Sequence, residues 1–178
     1  MRKEEEKALE LDTRRRIYQF LEEVPGAHFR EVHRRLDIPT SVVEYHLKYL
    51  ENRDMVVSKM EGRYKRYYIQ GRMGSADKGL MSLLRQKVPR HIVMHIALNP
   101  GVNHRELTEA VSISPSTLSY HMKKLISKEV VRQEREGRQN RYWLVDEEGA
   151  AEALMQYKES FLDEVVDSFT ETWLDIHP

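Results

Sequence analysis

The chain has 178 residues, 40% of them apolar and 33% charged, and its acidic and basic side chains are equal in number. That length fits one large or two small domains and does not choose between them. The absence of cysteine excludes disulfides and thiolate metal sites; the longest apolar runs are too short to span a bilayer, and the charged start, Met1 to Lys7, has no signal-peptide core, which together point to the cytoplasm.

In chain order, the first predicted element is a helix over about Asp12 to Glu23, stopped by Pro25-Gly26. A short second helix starts near His28, and Asp37-Ile38-Pro39 forms the turn after it. The third helix runs from Thr40 to Arg53. At about 100° per residue, Val43, Leu47 and Leu50 make its apolar stripe. Ser41, Tyr45, Lys48 and Asn52 lie opposite, with Glu44 beside them. Met55 to Met60 and Arg66 to Gln70 alternate polar and apolar residues around a Glu-Gly tip, which predicts a β-hairpin. Gln70 to Gly79, with three glycines and a serine, reads as a connection.

The pattern then returns. Shifting the chain by 75 residues aligns Ile17–Ile69 on Ile92–Leu144 without a gap, and 17 of the 53 pairs are identical. Two copies of one supersecondary unit follow, rather than a solenoid of many repeats. The second copy has a helix over about Pro89 to Leu98, Pro89 suiting a first helical turn because its missing N–H has no partner there. Asn103 and Glu106 have the spacing of a capping box, and Ser112-Ile113-Ser114 forms the turn. A third helix with the stripe Leu118, Met122 and Leu125 precedes a hairpin of Val130 to Arg135 with Arg141 to Val145. The expected organisation is a first domain over 1–70, a linker and connecting helix over 71–86, a second domain over 87–146 and a C-terminal helix over 147–178. The fold class is mainly α with small β-hairpin wings (α+β), as two winged helix-turn-helix domains in tandem.

Both third helices turn the same chemistry outward. Thr40 and Ser41 open the first, and Tyr45 and Lys48 follow one and two turns on; Ser116 and Thr117 open the second, with Tyr120 and Lys123 following, flanked by Ser119 and Lys124. Short hydroxyls bond base edges or phosphates, an aromatic contacts a thymine methyl, and lysine neutralises phosphate charge. A solvated outer face with no role explains one copy more easily than it explains Ser, Tyr and Lys kept in both. Near the hairpin tips stand Arg63, Lys65 and Arg66, and Arg135, Arg138 and Arg141, placed to follow phosphates or enter a narrow minor groove. Basic hairpin edges also serve to block aggregation, but Glu-Gly-Arg-x-x-Arg-Tyr in both copies favours nucleic acid.

The segment Ser114 to Leu125, reading Ser-Pro-Ser-Thr-Leu-Ser-Tyr-His-Met-Lys-Lys-Leu, followed by Glu136-Gly137-Arg138 and Arg141-Tyr142, resembles the winged-helix regulators of the ArsR type. The resemblance implies that the third helix reads DNA and the wing touches the backbone. The tandem order with a trailing helix is similar to two-winged-helix regulators of archaea, over roughly residues 12 to 176. Copy one departs from the pattern at Pro39 and Glu44. Glu44 can cap its helix through Ser41, accept from a cytosine amino group, or repel phosphate.

From Asp146 to Pro178 there are ten acidic residues and one basic, which leaves 28 basic against 19 acidic in the first 145 residues. The tail's apolar positions Leu154, Tyr157, Phe161, Val165, Phe169, Trp173 and Ile176 recur every three or four residues. That spacing predicts one amphipathic helix of about 45 Å, longer than a small domain, and so a dimerisation arm carried by the first six. Folding back across the winged domains is the other reading. A membrane-surface helix is disfavoured, since the polar face is acidic. His91 and His95 are four apart, but no cysteine or nearby carboxylate completes a metal site; His46 and His121 read as packing residues. There is no nucleophile–base set, glycine-rich phosphate loop or catalytic carboxylate pair. The expected function is a dimeric regulator that binds double-stranded DNA, with no cofactor, metal or enzymatic activity. The other class open to the sequence is a winged-helix interaction scaffold of the transcription machinery.

Overall fold

Apolar residues spaced three and four apart put Ile17, Phe20 and Leu21 on one face of the first helix, where they are buried against Val32, Val43, Leu47 and Leu50. The computed structural model describes residues 12–177, with the side chains of 75 and 76 apart; the charged stretch Met1 to Lys7 lies outside them. The chain divides into two units, the first ending at Lys78 and the second starting at Gly79.

The first unit comprises α1 (Asp12–Glu23), β1 (Ala27–His28), α2 (Phe29–Leu36), α3 (Thr40–Asn52), β2 (Val56–Glu61) and β3 (Tyr64–Ile69). Helix α4 (Ser75–Leu84) carries the division. The second unit repeats the pattern with α5 (Lys87–Leu98), β4 (Val102–Asn103), α6 (His104–Val111), α7 (Pro115–Ser127), β5 (Val131–Glu136) and β6 (Gln139–Leu144). It then adds α8 (Glu147–Gln156), α9 (Lys158–Phe161) and α10 (Glu164–Ile176). Each unit is thus three helices and a wing: a winged helix-turn-helix, twice, mostly helical with small antiparallel sheets.

The wings are larger than the sequence suggests. Each is a three-stranded antiparallel sheet in the order β1-β3-β2 or β4-β6-β5. The added strand is the residue pair just after Pro-Gly, with Ala27 opposite Tyr67 and Val102 opposite Tyr142. Two residues are too few to show an alternating pattern, so periodicity does not reveal them. The glycine before each pair has positive φ, 77° at Gly26 and 83° at Gly101. A Cβ at Gly101 would also lie 3.3 Å from the Trp143 ring, which would have to shift by a few tenths of an ångström, so the positive φ is the stronger reason for glycine there.

Helix caps follow local chemistry. His28 Nδ1 accepts from the Glu31 backbone at the start of α2, and α6 opens with the full Asn103–Glu106 capping box. Ser114 caps α7 by accepting from Thr117 N, with Pro115 in its first turn.

The single C-terminal helix predicted for 147–178 is instead three. Leu162, at φ 51° and ψ 50°, breaks the run in a left-handed conformation, and Asp163 caps α10. The arm returns onto its own unit, where α10 packs against α8 and α5. Leu154, Phe161, Phe169 and Trp173, predicted to dimerise, are buried inside the second unit, and Tyr157 is half-buried. Only Val165 of the six is exposed. The stripe is real, but it is used internally, because the break at Leu162 lets the helix fold back.

Candidate nucleic-acid interface

Helix α7 presents Ser116, Ser119, Tyr120 and Lys123 to solvent, while Leu118, Met122 and Leu125 are buried beneath it. Thr117 and Lys124 are half-buried. Tyr120 is 57% exposed, a large ring held at the surface with the Lys124 ammonium 4.6 Å from its centroid. Such a ring beside two lysines carries contact area and positive charge at one place. Some hydroxyls are already engaged. Ser119 donates to the Pro115 carbonyl at 2.9 Å and lies 3.1 Å from His104 Nε2, and Thr117 Oγ1 lies 2.8 Å from the capping Ser114 hydroxyl. The Ser116 hydroxyl also lies 3.0 Å from that of Ser114, though Ser116, like Lys123, is exposed.

Helix α3 has the same frame with a different charge. Thr40, Ser41, Glu44, Tyr45 and Lys48 are exposed, Tyr45 by 60%. Pro39 stands at the cap position and no side chain caps the helix, so the Ser41–Glu44 cap is not formed. Glu44 therefore stands uncapped on the outward face. Beneath it, a cleft of about 650 Å³ between α3 and the wing is lined by Phe29, Glu44, Lys48, Glu51, Lys65 and Tyr67. Glu51 accepts from Lys65 Nζ at 3.0 Å and from the Ser58 hydroxyl at 2.5 Å. Burial works against the Lys65 charge, but Glu51 and Tyr67 together outweigh it and raise the lysine's pKa. The second unit has Ile126 and Asn140 at the positions of Glu51 and Lys65, so no such pair can form there.

The wing arginines separate into two kinds. Arg63 and Arg138, next to the tip glycines, are exposed, as is Arg135, whose Nε donates to the Gly137 carbonyl at 3.3 Å. Arg66 is buried and Arg141 half-buried. Each donates from Nη1, at 2.8 Å, to the carbonyl of the glycine after the first helix, Gly26 or Gly101. Each also meets the glutamate of its own hairpin through Nε: Arg66 lies 3.0 Å from Glu61 Oε2 as an ion pair without hydrogen-bond geometry, and Arg141 donates to Glu136. Those glycines return a backbone bond to the strand, from Gly26 to Tyr67 and from Gly101 to Tyr142. The shared Glu-Gly-Arg-x-x-Arg motif is therefore partly a strut between wing and helix end. Its repetition, read from sequence as evidence for nucleic acid, has this structural cause for Arg66 and Arg141.

Sequence reasoning passed over two residues at the first wing. Met60 is 64% exposed and Tyr64 49%, where the second wing has Arg135 and Gln139. It also could not separate the paired histidines. His46 Nδ1 accepts from Arg14 Nε at 3.4 Å, and Arg14 lies 3.5 Å from the Tyr49 ring centroid. The second unit has Pro89 at the place of Arg14, and the buried His121 Nδ1 has no hydrogen-bond partner. Burial lowers the pKa of both rings, helped by Arg14 at His46 and by Lys124 at His121. His91 bonds to Asp163 rather than pairing with His95, and among the described residues no three His, Asp or Glu side chains form a metal-sized group. No helix among them is long and apolar enough to cross a membrane.

Sequence comparison points the same way. A family described as an N-terminal HTH domain matches residues 11–81, and one described as winged helix-turn-helix DNA-binding matches residues 86–132. The chain is 30% identical over 141 residues to a protein of Methanocaldococcus jannaschii described as an uncharacterised HTH-type transcriptional regulator. The match covers 79% of this chain and 35% of that relative, so the chain spans about a third of the relative's length.

Proposed function

We propose that the chain is a DNA-binding transcription regulator of the ArsR-like type, in which α7 enters the major groove and its wing follows the adjacent backbone. The observation that carries this reading is the exposed Tyr120, with Ser116 and Lys123 on the same face, on a helix whose apolar side is fully buried. Exposure of a large aromatic ring costs solvation unless a partner covers it, and the surrounding lysines suit a polyanion. Helix α3 supports the same use with less positive charge. The role is binding rather than catalysis.

A homodimer fits the symmetric operators that such regulators use. The buried stripe cannot supply it, so we assign the contact to the exposed flank of α10 on which Val165 and Ile176, three turns apart, are exposed by 48% and 55%. Sedimentation of Val165→Glu with Ile176→Glu should give a monomer where the parent gives a dimer. A parent that is monomeric at micromolar concentration contradicts the assignment.

Mobility-shift titration with and without competitor duplex tests the main reading. A retarded band that survives excess random-sequence duplex is expected. No band at low salt would favour a protein-docking role for the two winged units instead.

A further inference from the structure

The two wings are an internal comparison on one chain, and they differ where they would touch DNA. The aligned tips are Met60-Glu61-Gly62-Arg63-Tyr64 and Arg135-Glu136-Gly137-Arg138-Gln139. Each keeps one exposed arginine after the glycine. The second wing adds another cation, Arg135, while the first puts an exposed thioether there and an exposed ring at the place of Gln139.

Strand register places these side chains. Met60 is opposite Lys65, and Glu61 is opposite Tyr64. Side chains alternate along a strand, so Met60 and Tyr64 leave on opposite faces of the hairpin and bracket the Gly62-Arg63 turn. The Tyr64 ring is held in place: it stacks on His28 with centroids 5.0 Å apart and planes 18° apart, and the Arg66 guanidinium lies 5.8 Å from its centroid. His28 is itself fixed by capping α2, so the ring is oriented before any partner arrives. Lys65, though exposed, is bound to Glu51, and Arg66 to Glu61, so the exposed cations of this hairpin outside those pairs are Arg63 at the tip and Lys59 on the strand before Met60.

We infer that the first wing grips duplex DNA by apolar contact, with Met60 and Tyr64 on the sugar edges and wall of the minor groove to either side of Arg63, whereas the second wing grips it ionically through Arg135 and Arg138. This inference rests on the DNA-binding reading and is continuous with the α3 face beside it. Phosphates offer nothing to a thioether or a phenol ring face, but deoxyribose and the groove wall do, and apolar wedges are a common minor-groove device. Contacts of this kind release no counterions, so they add affinity without adding to the salt dependence. They also depend on groove width, so they contribute to sequence preference without bonding a base.

The test uses the full chain and a fluorescent duplex that the parent has selected from a random library, titrated at several salt concentrations. Met60→Ala with Tyr64→Ala should weaken binding fivefold or more while the log–log salt slope stays within about 0.3 of the parent's, since no cation is removed. The exchange Met60→Arg with Tyr64→Gln, which gives the first wing the residues of the second, should steepen the slope by about 0.9 and tighten binding to random duplex. The exchange keeps the test open if the alanine pair fails to fold. Less than fivefold loss in a folded alanine variant, or a loss that comes with a flatter slope, overturns the inference. So does an exchange variant with an unaltered slope. If the parent binds and Tyr120→Ala with Lys123→Ala abolishes binding while the wing variants act like the parent, the apolar grip alone is wrong. If the parent binds no duplex, the DNA-binding reading itself has failed.

Discussion

Arg66 is 9% exposed, and its guanidinium joins the end of α1 to the wing through the Gly26 carbonyl and Glu61. Removing it leaves a buried carboxylate without its cation, which costs about 3 kcal/mol or more. Arg66→Ala should therefore lower the unfolding midpoint of the first unit in a thermal melt. Arg141→Ala should do so less, because the Arg141–Glu136 pair is open to solvent and screened. Arg138→Ala should leave the melt alone and flatten the salt dependence of DNA binding by about 0.9 in log–log slope. A melt lowered by Arg138→Ala and unmoved by Arg66→Ala would reverse the roles given to the two kinds of arginine. His46 makes a pH-dependent contribution. Burial, then Arg14, hold its pKa below the ordinary 6.5, so the folded state favours the neutral ring. The associated stability is complete above about pH 6.5, the unfolded value, and is lost as pH falls from there through the lower folded value. His95 and His121 are shifted in the same direction, chiefly by burial. His46→Gln, which cannot titrate, should flatten the loss of thermal stability between pH 7 and 5. An unchanged pH dependence would remove His46 from the account.

At the level of the elements, Asp163 does for the C-terminal arm what Arg66 does for the wing. Its Oδ2 accepts from Arg90 through both Nε and Nη2 and lies 2.8 Å from His91 Nε2, while Oδ1 caps Val165 N at the start of α10. Burial opposes its ionisation, but the Arg90 and His91 bonds prevail and lower its pKa. The arm's anchoring is therefore complete above the ordinary carboxylate range, about pH 4, and weakens as acid carries the pH through the lower folded value. Asp163→Asn strands the Arg90 charge, which is 5% exposed, and should destabilise the second unit by about 3 kcal/mol. Hydrogen exchange should then increase first across 164–176; uniform protection in the variant would show that the arm does not depend on this anchor. None of this is legible from spacing, since Arg90 and Asp163 are 73 residues apart. The helices α1, α3 and α7, the capping box at Asn103 and the hairpin positions are legible, because each is written in local periodicity or local capping chemistry. The tail's stripe is equally periodic across 154–176, and that is why it misleads. A left-handed residue at Leu162 leaves no mark in a hydrophobic pattern, and burial cannot tell an internal partner from a second chain. In the interface, Tyr45 and Tyr120 lie outward as their spacing requires, whereas the bonds of Arg66 and Arg141 depend on a glycine 40 residues earlier in each copy.

Across the whole molecule, two units of one design carry different charges on the same face. The second offers Lys123, Lys124, Arg135 and Arg138 with no carboxylate on the outward side of α7; the first sets Glu44 among Ser41, Tyr45 and Lys48 and binds Lys65 to Glu51. An acid facing a groove weakens binding unless a cytosine amino group meets it. With no cap to occupy Glu44, Glu44→Ser should either raise non-specific affinity or change the preferred sequence. The ranking of the two helices is tested by setting Tyr120→Ala with Lys123→Ala against Tyr45→Ala with Lys48→Ala, by anisotropy titration of one cognate duplex at fixed salt. The α7 pair should reduce binding to the level of random duplex, while the α3 pair should weaken it by roughly 5- to 150-fold, the value of one good base contact. A greater loss from the α3 pair, or parental affinity in both, would contradict that ranking.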